Sequence, residues 1–218
     1  MDVRAVTDNL PYLAAGVQLT VVISLLAAVI AVLVGLVMAL ARLSAIRPLA
    51  WLGGLYVNFF RSTPLLIQLV WFFYALPILT QVSFDAFTTG VIGLGLYEAA
   101  FFAEVFRAGI LSVPGGQRDA ALAQGMTPAQ AMRRVILPQA IRRTIPPATS
   151  SFITLFKDSS LTSIIAVPEL LYKSSSLVST TFSPISVLTA AGLIYLALTY
   201  PQALLASRLQ RKAIEAGG

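Results

Sequence analysis

The chain has no cysteine and no histidine, and only 11% of its 218 residues are charged. Without cysteine there is no disulfide and no thiolate metal site. Without histidine there is no imidazole base, and with both missing the commonest haem ligands are gone. The lack of cysteine carries no information about redox compartment. The shortage of charge excludes more. A soluble domain is roughly 25% charged, so this chain has too few charges to cover a water-facing surface. Disorder and fibrous repeats need a polar or strictly periodic composition, and neither is present. What fills the sequence instead is apolar: 57% of residues are hydrophobic, and the mean hydropathy is +0.84. Its solvent is mostly lipid.

Fifteen basic residues against nine acidic ones leave a net charge of +6, with a pI near 10.0. In a soluble protein that balance points to nucleic acid. In an apolar chain it points to loops held against anionic lipid on the cytoplasmic side. Position decides between the two.

Met1 to Asn9 lacks a basic leader, and the apolar run behind it is too long for a signal peptide. Tyr12 to Ala41 is free of charge; as a helix it reaches about 45 Å, more than a hydrocarbon core of roughly 30 Å. Further apolar stretches predict spans at about 49–79, 86–113, 139–157 and 185–206. The fourth is polar, with Pro146, Pro147, Thr149, Ser150, Ser151 and Thr154, and such a span must be wrapped by other helices or line a cavity. Leu161 to Leu171 is too short to cross and reads as a re-entrant or interfacial segment. The expected fold is therefore an all-α helical bundle of about five transmembrane helices, one domain over 1–218.

Charge sets its orientation. Arg42, Arg47, Arg118, Arg133, Arg134, Arg142, Arg143, Arg208, Arg211 and Lys212 all fall on one side of a five-span chain. Arg4 and Lys173 fall on the other. Ten against two predicts an outside N-terminus and a cytoplasmic C-terminus. Lipid accounts for the positive charge, and nucleic acid is not needed.

The third loop, 115–136, differs from the rest. Gln117 to Gln124 is rich in helix formers, and Gly125 sits where a left-handed cap is wanted. Thr127, Pro128 and Gln130 then spell a capping box for a second short helix running to about Ile136, limited by Pro138. The result is a helix–turn–helix bulge with the shape of a docking element. A plain solvated connector is the alternative, and a DNA reader is disfavoured because no third helix completes a domain.

Asp119-Ala120-Ala121, then Gly125, then Ile136-Leu137-Pro138 resemble the EAA–G–I-LP signature of permease subunits in binding-protein-dependent ABC importers. Asp119 replaces the usual Glu and keeps the carboxylate. Arg61-Ser62-Thr63-Pro64-Leu65-Leu66, Ala103-Glu104-Val105-Phe106-Arg107-Ala108-Gly109-Ile110, Gly116-Gln117 and Leu155-Phe156-Lys157-Asp158-Ser159-Ser160-Leu161 are similar to polar amino acid permeases. That likeness covers about 11–208, and Tyr56-Val57-Asn58, Phe60-Arg61-Ser62 and Tyr97-Glu98-Ala99-Ala100 lean toward glutamate/aspartate permeases. The resemblance implies a bacterial inner-membrane subunit whose coupling residues are Asp119, Ala120, Ala121, Gly125, Ile136, Leu137 and Pro138. It also implies partners: a separate ABC ATPase holding ATP and Mg²⁺, and a second permease, identical or paralogous. A periplasmic or lipid-anchored amino-acid-binding protein completes the set. No phosphate-binding Gly-x-x-x-x-Gly-Lys-Ser/Thr loop occurs in the chain, so no cofactor is expected on it.

Charges within the spans are the candidate substrate path. Arg61 is about 12 residues into the second span, near mid-membrane, and Glu98 is midway along the third. An ionised group there must face a partner or water. Glu98 could take a substrate ammonium and Arg61 a carboxylate, or the two could lock helices together. Lys157, Asp158 and Ser159 end the fourth span and suit either a gate or packing. Glu104 and Arg107 are spaced to pair on one helix face. A passive channel or exchanger would share these charges but has no use for the capped loop. An intramembrane enzyme would have to rest on Lys157 with Ser159 or Ser160.

Overall fold

The computed structural model describes residues 4–215. Asp2 and the side chain of Lys212 lie outside the described residues. In chain order the helices are α1 (Arg4–Thr7), α2 (Leu10–Leu43), α3 (Arg47–Ser62), α4 (Leu65–Val70), α5 (Leu76–Thr80), α6 (Ala86–Leu111), α7 (Gly115–Ala123), α8 (Pro128–Ala131), α9 (Leu137–Asp158), α10 (Leu170–Thr181) and α11 (Pro184–Glu215). π-Helical turns at Trp71–Ala75 and Met132–Ile136 join α4 to α5 and α8 to α9, and a 3-10 turn, Ser159–Ile165, follows α9.

α2 and α6 form the centre. Ile23, Ala27 and Ala31 pack with Leu94 and Phe102, joined by Leu65, Leu69, Leu155 and Ile165. Small residues let the backbones approach closely: a Cβ on Gly35 would lie 2.9 Å from the Ala99 carbonyl. Contacts fix the directions. Ile23 faces Gly90 while Gly35 faces Ala99 and Phe102, so α2 and α6 run parallel. α9 runs the other way, since Thr144 meets Gly109 whereas Thr162, beyond its end, meets Gly90. α11 returns parallel to α2, with Val187 in the cluster of Leu13 and Leu170. The ends of α2, α6 and α11 and the start of α9 therefore share one end of the bundle, where the 115–136 loop lies.

Among the described residues three helices are long and apolar enough to cross a membrane alone, Leu10–Leu43, Ala86–Leu111 and Pro184–Arg211. The expected span over 49–79 is bent: Arg47–Ser62 and Leu65–Thr80 meet at 103°. Pro64 is the cause. It has no N–H to continue the helix, and its ring pushes the preceding residue into extended backbone; Thr63 sits at φ −116°, ψ 139°. α9 falls short of the apolarity of a free-standing span, yet it is packed against α6, α2 and α11, the wrapping its polar composition requires. The short segment expected at 161–171 is also redrawn. Its first half is the 3-10 turn, and its second half opens α10, which continues to Thr181.

Candidate coupling loop and translocation path

α7 ends in a Schellman motif. The Met126 N–H reaches the Ala121 carbonyl at 3.2 Å and the Gly125 N–H reaches Leu122 at 2.9 Å, the pair of bonds that needs a left-handed residue between them. Gly125 supplies it at φ +81°, and nothing lies within 4 Å of the place its Cβ would take. The demand for glycine is thus one of backbone conformation. Two residues on, the Thr127 hydroxyl accepts from the Gln130 N–H at 3.3 Å, and the Gln130 side chain accepts from the Thr127 N–H at 2.9 Å. That completes the capping box.

One expectation about the loop changes. Pro138 does not limit the second helix. α8, the π turn and α9 form one continuous rod, because the Leu137 N–H bonds back to Met132, five residues away. The wider turn absorbs the proline ring and its missing donor. Asp119, Ala120 and Ala121 do not share one face. Asp119 and Ala120 are exposed, but Ala121 is 4% exposed, on the inner side of α7, which packs toward α8 and the π turn. Ile136 is buried, whereas Leu137 and Pro138 stand outward. Beside them an open concavity is lined by Ala129, Gln130, Arg133 and Arg134.

The loop is rooted firmly in the bundle. The Arg143 guanidinium donates to the Ser112 carbonyl, tying the start of α9 to the end of α6. One turn away the same two helices touch so closely that a Cβ on Gly109 would overlap the Thr144 hydroxyl. The loop is thereby joined to both helices.

The candidate path residues separate. Glu98 is midway along α6 and 2% exposed, and its charged neighbour is Asp158 at the end of α9. Arg61 does not join them, which corrects the expected lock with Glu98. It occupies the last turn of α3, 3.7 Å from Glu104 and 5.4 Å from the Phe101 ring centre. Glu104 also binds Arg107 at 2.9 Å, as the spacing implies, and Arg42 from α2. Lys157 is exposed and Ser159 fully buried. The Ser159 and Ser160 hydroxyls donate to the Phe156 and Lys157 carbonyls at 2.8 Å, so each closes the end of α9 and neither is set against the lysine as a nucleophile.

Two buried polar positions lay outside the sequence reading. Gln68 donates its amide to the Phe60 carbonyl at 3.2 Å, the acceptor that Pro64 leaves without its helical partner. Glu169 is 0% exposed. It caps α10 by accepting from the Leu171 and Tyr172 N–H groups at 2.9 and 2.8 Å, and it accepts from the Tyr195 hydroxyl of α11 at 2.7 Å. The Thr20 hydroxyl of α2 lies 3.5 Å away. The signal for such a cap, an acidic residue after Val167-Pro168 and before Leu170-Leu171, was present.

Comparison with known proteins agrees with this architecture. Residues 31–215 match the family of binding-protein-dependent transport system inner membrane components. The chain is 34% identical to a glutamate/aspartate import permease of Escherichia coli O6:H1, with 97% of each chain covered. It is 36% identical to a probable glutamine ABC transporter permease of Bacillus subtilis, covering 97% of this chain and 98% of that one. Among solved structures, a crystal structure of an amino acid ABC transporter with histidines superposes with a TM-score of 0.92 at 33% identity, over 97% of this chain and 99% of that one. The inward-facing methionine ABC transporter MetNI, at 23% identity, shares the fold with a TM-score of 0.80 over 94% and 98%. With its bundle, its capped loop and a family match across most of its length, the chain belongs to the inner membrane components of binding-protein-dependent transport systems.

Proposed function

We propose that this chain is the permease subunit of an importer for polar amino acids, and that the 115–136 loop couples it to a separate ATPase. The carrying observation is the loop itself: a short helix closed at Gly125 and the Thr127-capped start of the rod that becomes α9, at one end of the bundle, exposing Asp119 and Ala120 and bordered by Arg133 and Arg134. The curated relatives named as amino acid permeases support the substrate class. ATP and Mg²⁺ belong to the ATPase, substrate arrives from a binding protein, and a second permease, identical or paralogous, completes the path. The loop end is cytoplasmic and the N-terminus outside. Glu98, with Asp158 beside it, receives the substrate ammonium. Arg61 is held by Glu104 and is assigned away from the path, while Lys157 and Ser159 frame its outer end.

Substitution at Gly125 tests the coupling. Valine there would be forced into a left-handed backbone at a cost of roughly 1 kcal/mol or more, distorting the turn while leaving the bundle intact. In vesicles holding the whole importer, Gly125→Val should insert normally. It should lose ATPase subunits, or hydrolyse ATP without uptake. Normal uptake at normal expression would remove the loop from the mechanism.

A further inference from the structure

Glu104 holds three arginines at once: Arg107 from its own helix, Arg42 from the last turn of α2 and Arg61 from the last turn of α3. Three positive charges on one carboxylate leave the group at +2. Each guanidinium offers five N–H donors, and among the described residues every ion pair of these three arginines ends on Glu104. Arg42 and Arg61 meet at the same Glu104 oxygen, Oε1. Like charges gathered this way repel, and a second anion would relieve them.

The depth and surroundings say which anion. Arg42 is the second-last residue of α2, and Glu104 stands seven residues from the end of α6, about 10 Å at helical rise. With the loop end at the membrane face, that depth falls at the border of the bilayer, where phosphates lie. The Arg61 side chain is 45% exposed. On α3, Trp51, Leu55 and Phe59 form an exposed apolar stripe at four-residue spacing. Between that stripe and Arg61 come Asn58, which is exposed, and Gly54, with open space above it. A charged socket therefore adjoins a small polar seam and an apolar face, the order in which a lipid presents its phosphate, glycerol and chains.

We propose that Arg42, Arg61 and Arg107 bind the phosphate of an anionic lipid in the leaflet at the loop end. Guanidinium groups suit phosphate because their planar fork bonds it bidentately, and basic pockets between transmembrane helices take such headgroups. The proposal does not depend on which substrate is moved.

The test uses the complete importer in mild detergent, exposed to phosphatidylglycerol and phosphatidylcholine of equal chain length, with bound lipid counted by native mass spectrometry. Wild type should retain the anionic lipid in preference. Arg61→Gln should lower that retention about tenfold, equivalent to about 1.4 kcal/mol, and Arg61→Lys should keep most of it. Glu104→Gln removes the competing anion and should raise retention, whereas Arg208→Gln, in the exposed tail, should leave it unchanged. Equal retention of the two lipids by wild type, or no loss in Arg61→Gln, overturns the proposal. So does displacement of the lipid by an equal concentration of glycerol phosphate, which would make this a soluble-anion site. Should Arg61→Gln fail to assemble, wild-type preference and Glu104→Gln still decide the matter.

Discussion

Gln68 restores at a distance what Pro64 removes. A proline strips one donor from the helix, and in an apolar setting the orphaned Phe60 carbonyl cannot turn to water. The Gln68 amide, four residues on, takes the role, reaching Phe60 and Thr63 at 3.2 Å each. Gln68→Leu should therefore destabilise the protein by about 1–3 kcal/mol, the cost of a buried unsatisfied carbonyl, read as a lower unfolding midpoint in detergent. An unchanged midpoint would mean the elbow does not need this bond. For Glu98 the expected effect is on transport. Glu98→Gln keeps the shape and removes the charge, so uptake per assembled complex should fall well before assembly does. A Gln variant that assembles poorly yet transports normally per complex would make Glu98 a packing residue. The burial of Glu98 could be foreseen from its place in an apolar run; the partners of Arg61 could not, because they depend on three helices meeting.

At the scale of the element, one device recurs. Leu76-Pro77 and Leu137-Pro138 each follow a five-residue π turn, and in both the leucine N–H bonds five residues back. The rods continue through proline because the wider turn makes room for it. Sequence rules treat proline as a stop, so they place an end where the chain has a reinforced joint. The start of α6 is simpler. Asp85 caps it, accepting from the Phe87 and Thr88 N–H groups at 3.1 and 3.2 Å. The Thr88 hydroxyl and backbone bonds, with that from Phe87, hold the Asp85 carboxyl below its usual range. A depressed carboxyl favours the folded state above its unfolded value and loses that advantage as pH falls through its folded value. Wild type should thus lose part of its stability on acidification below the ordinary carboxylate range, and Asp85→Asn should flatten that slope. An identical acid profile for the two proteins would show that the cap does not depend on its charge.

For the whole molecule, the ten-to-two division of basic residues and the helix directions give one arrangement. The N-terminal end of α2 lies opposite the loop end, and five passages through the bundle return the chain to the loop end at α11. A reporter active only in the cytoplasm should work when fused after Gly218, which lies outside the described residues, and should be silent when placed near Gln81. The reverse pattern would turn the protein over.

Composition alone determined that the chain lives in lipid, because 11% charge cannot hydrate a globule. Local spacing determined the loop: Gly125, Thr127 and Gln130 act through bonds within a few residues of themselves, so their roles were written in order along the chain. Tertiary structure decided the rest. The 103° elbow needed Pro64 and also a glutamine to satisfy what it broke. The fourth passage, which the sequence marked as a span despite its polar composition, persists because three helices surround it. Arg61 went to Glu104, and Glu169 to Thr20 and Tyr195, because a charge on a membrane helix settles wherever packing brings a partner, and that partner can be far away in sequence.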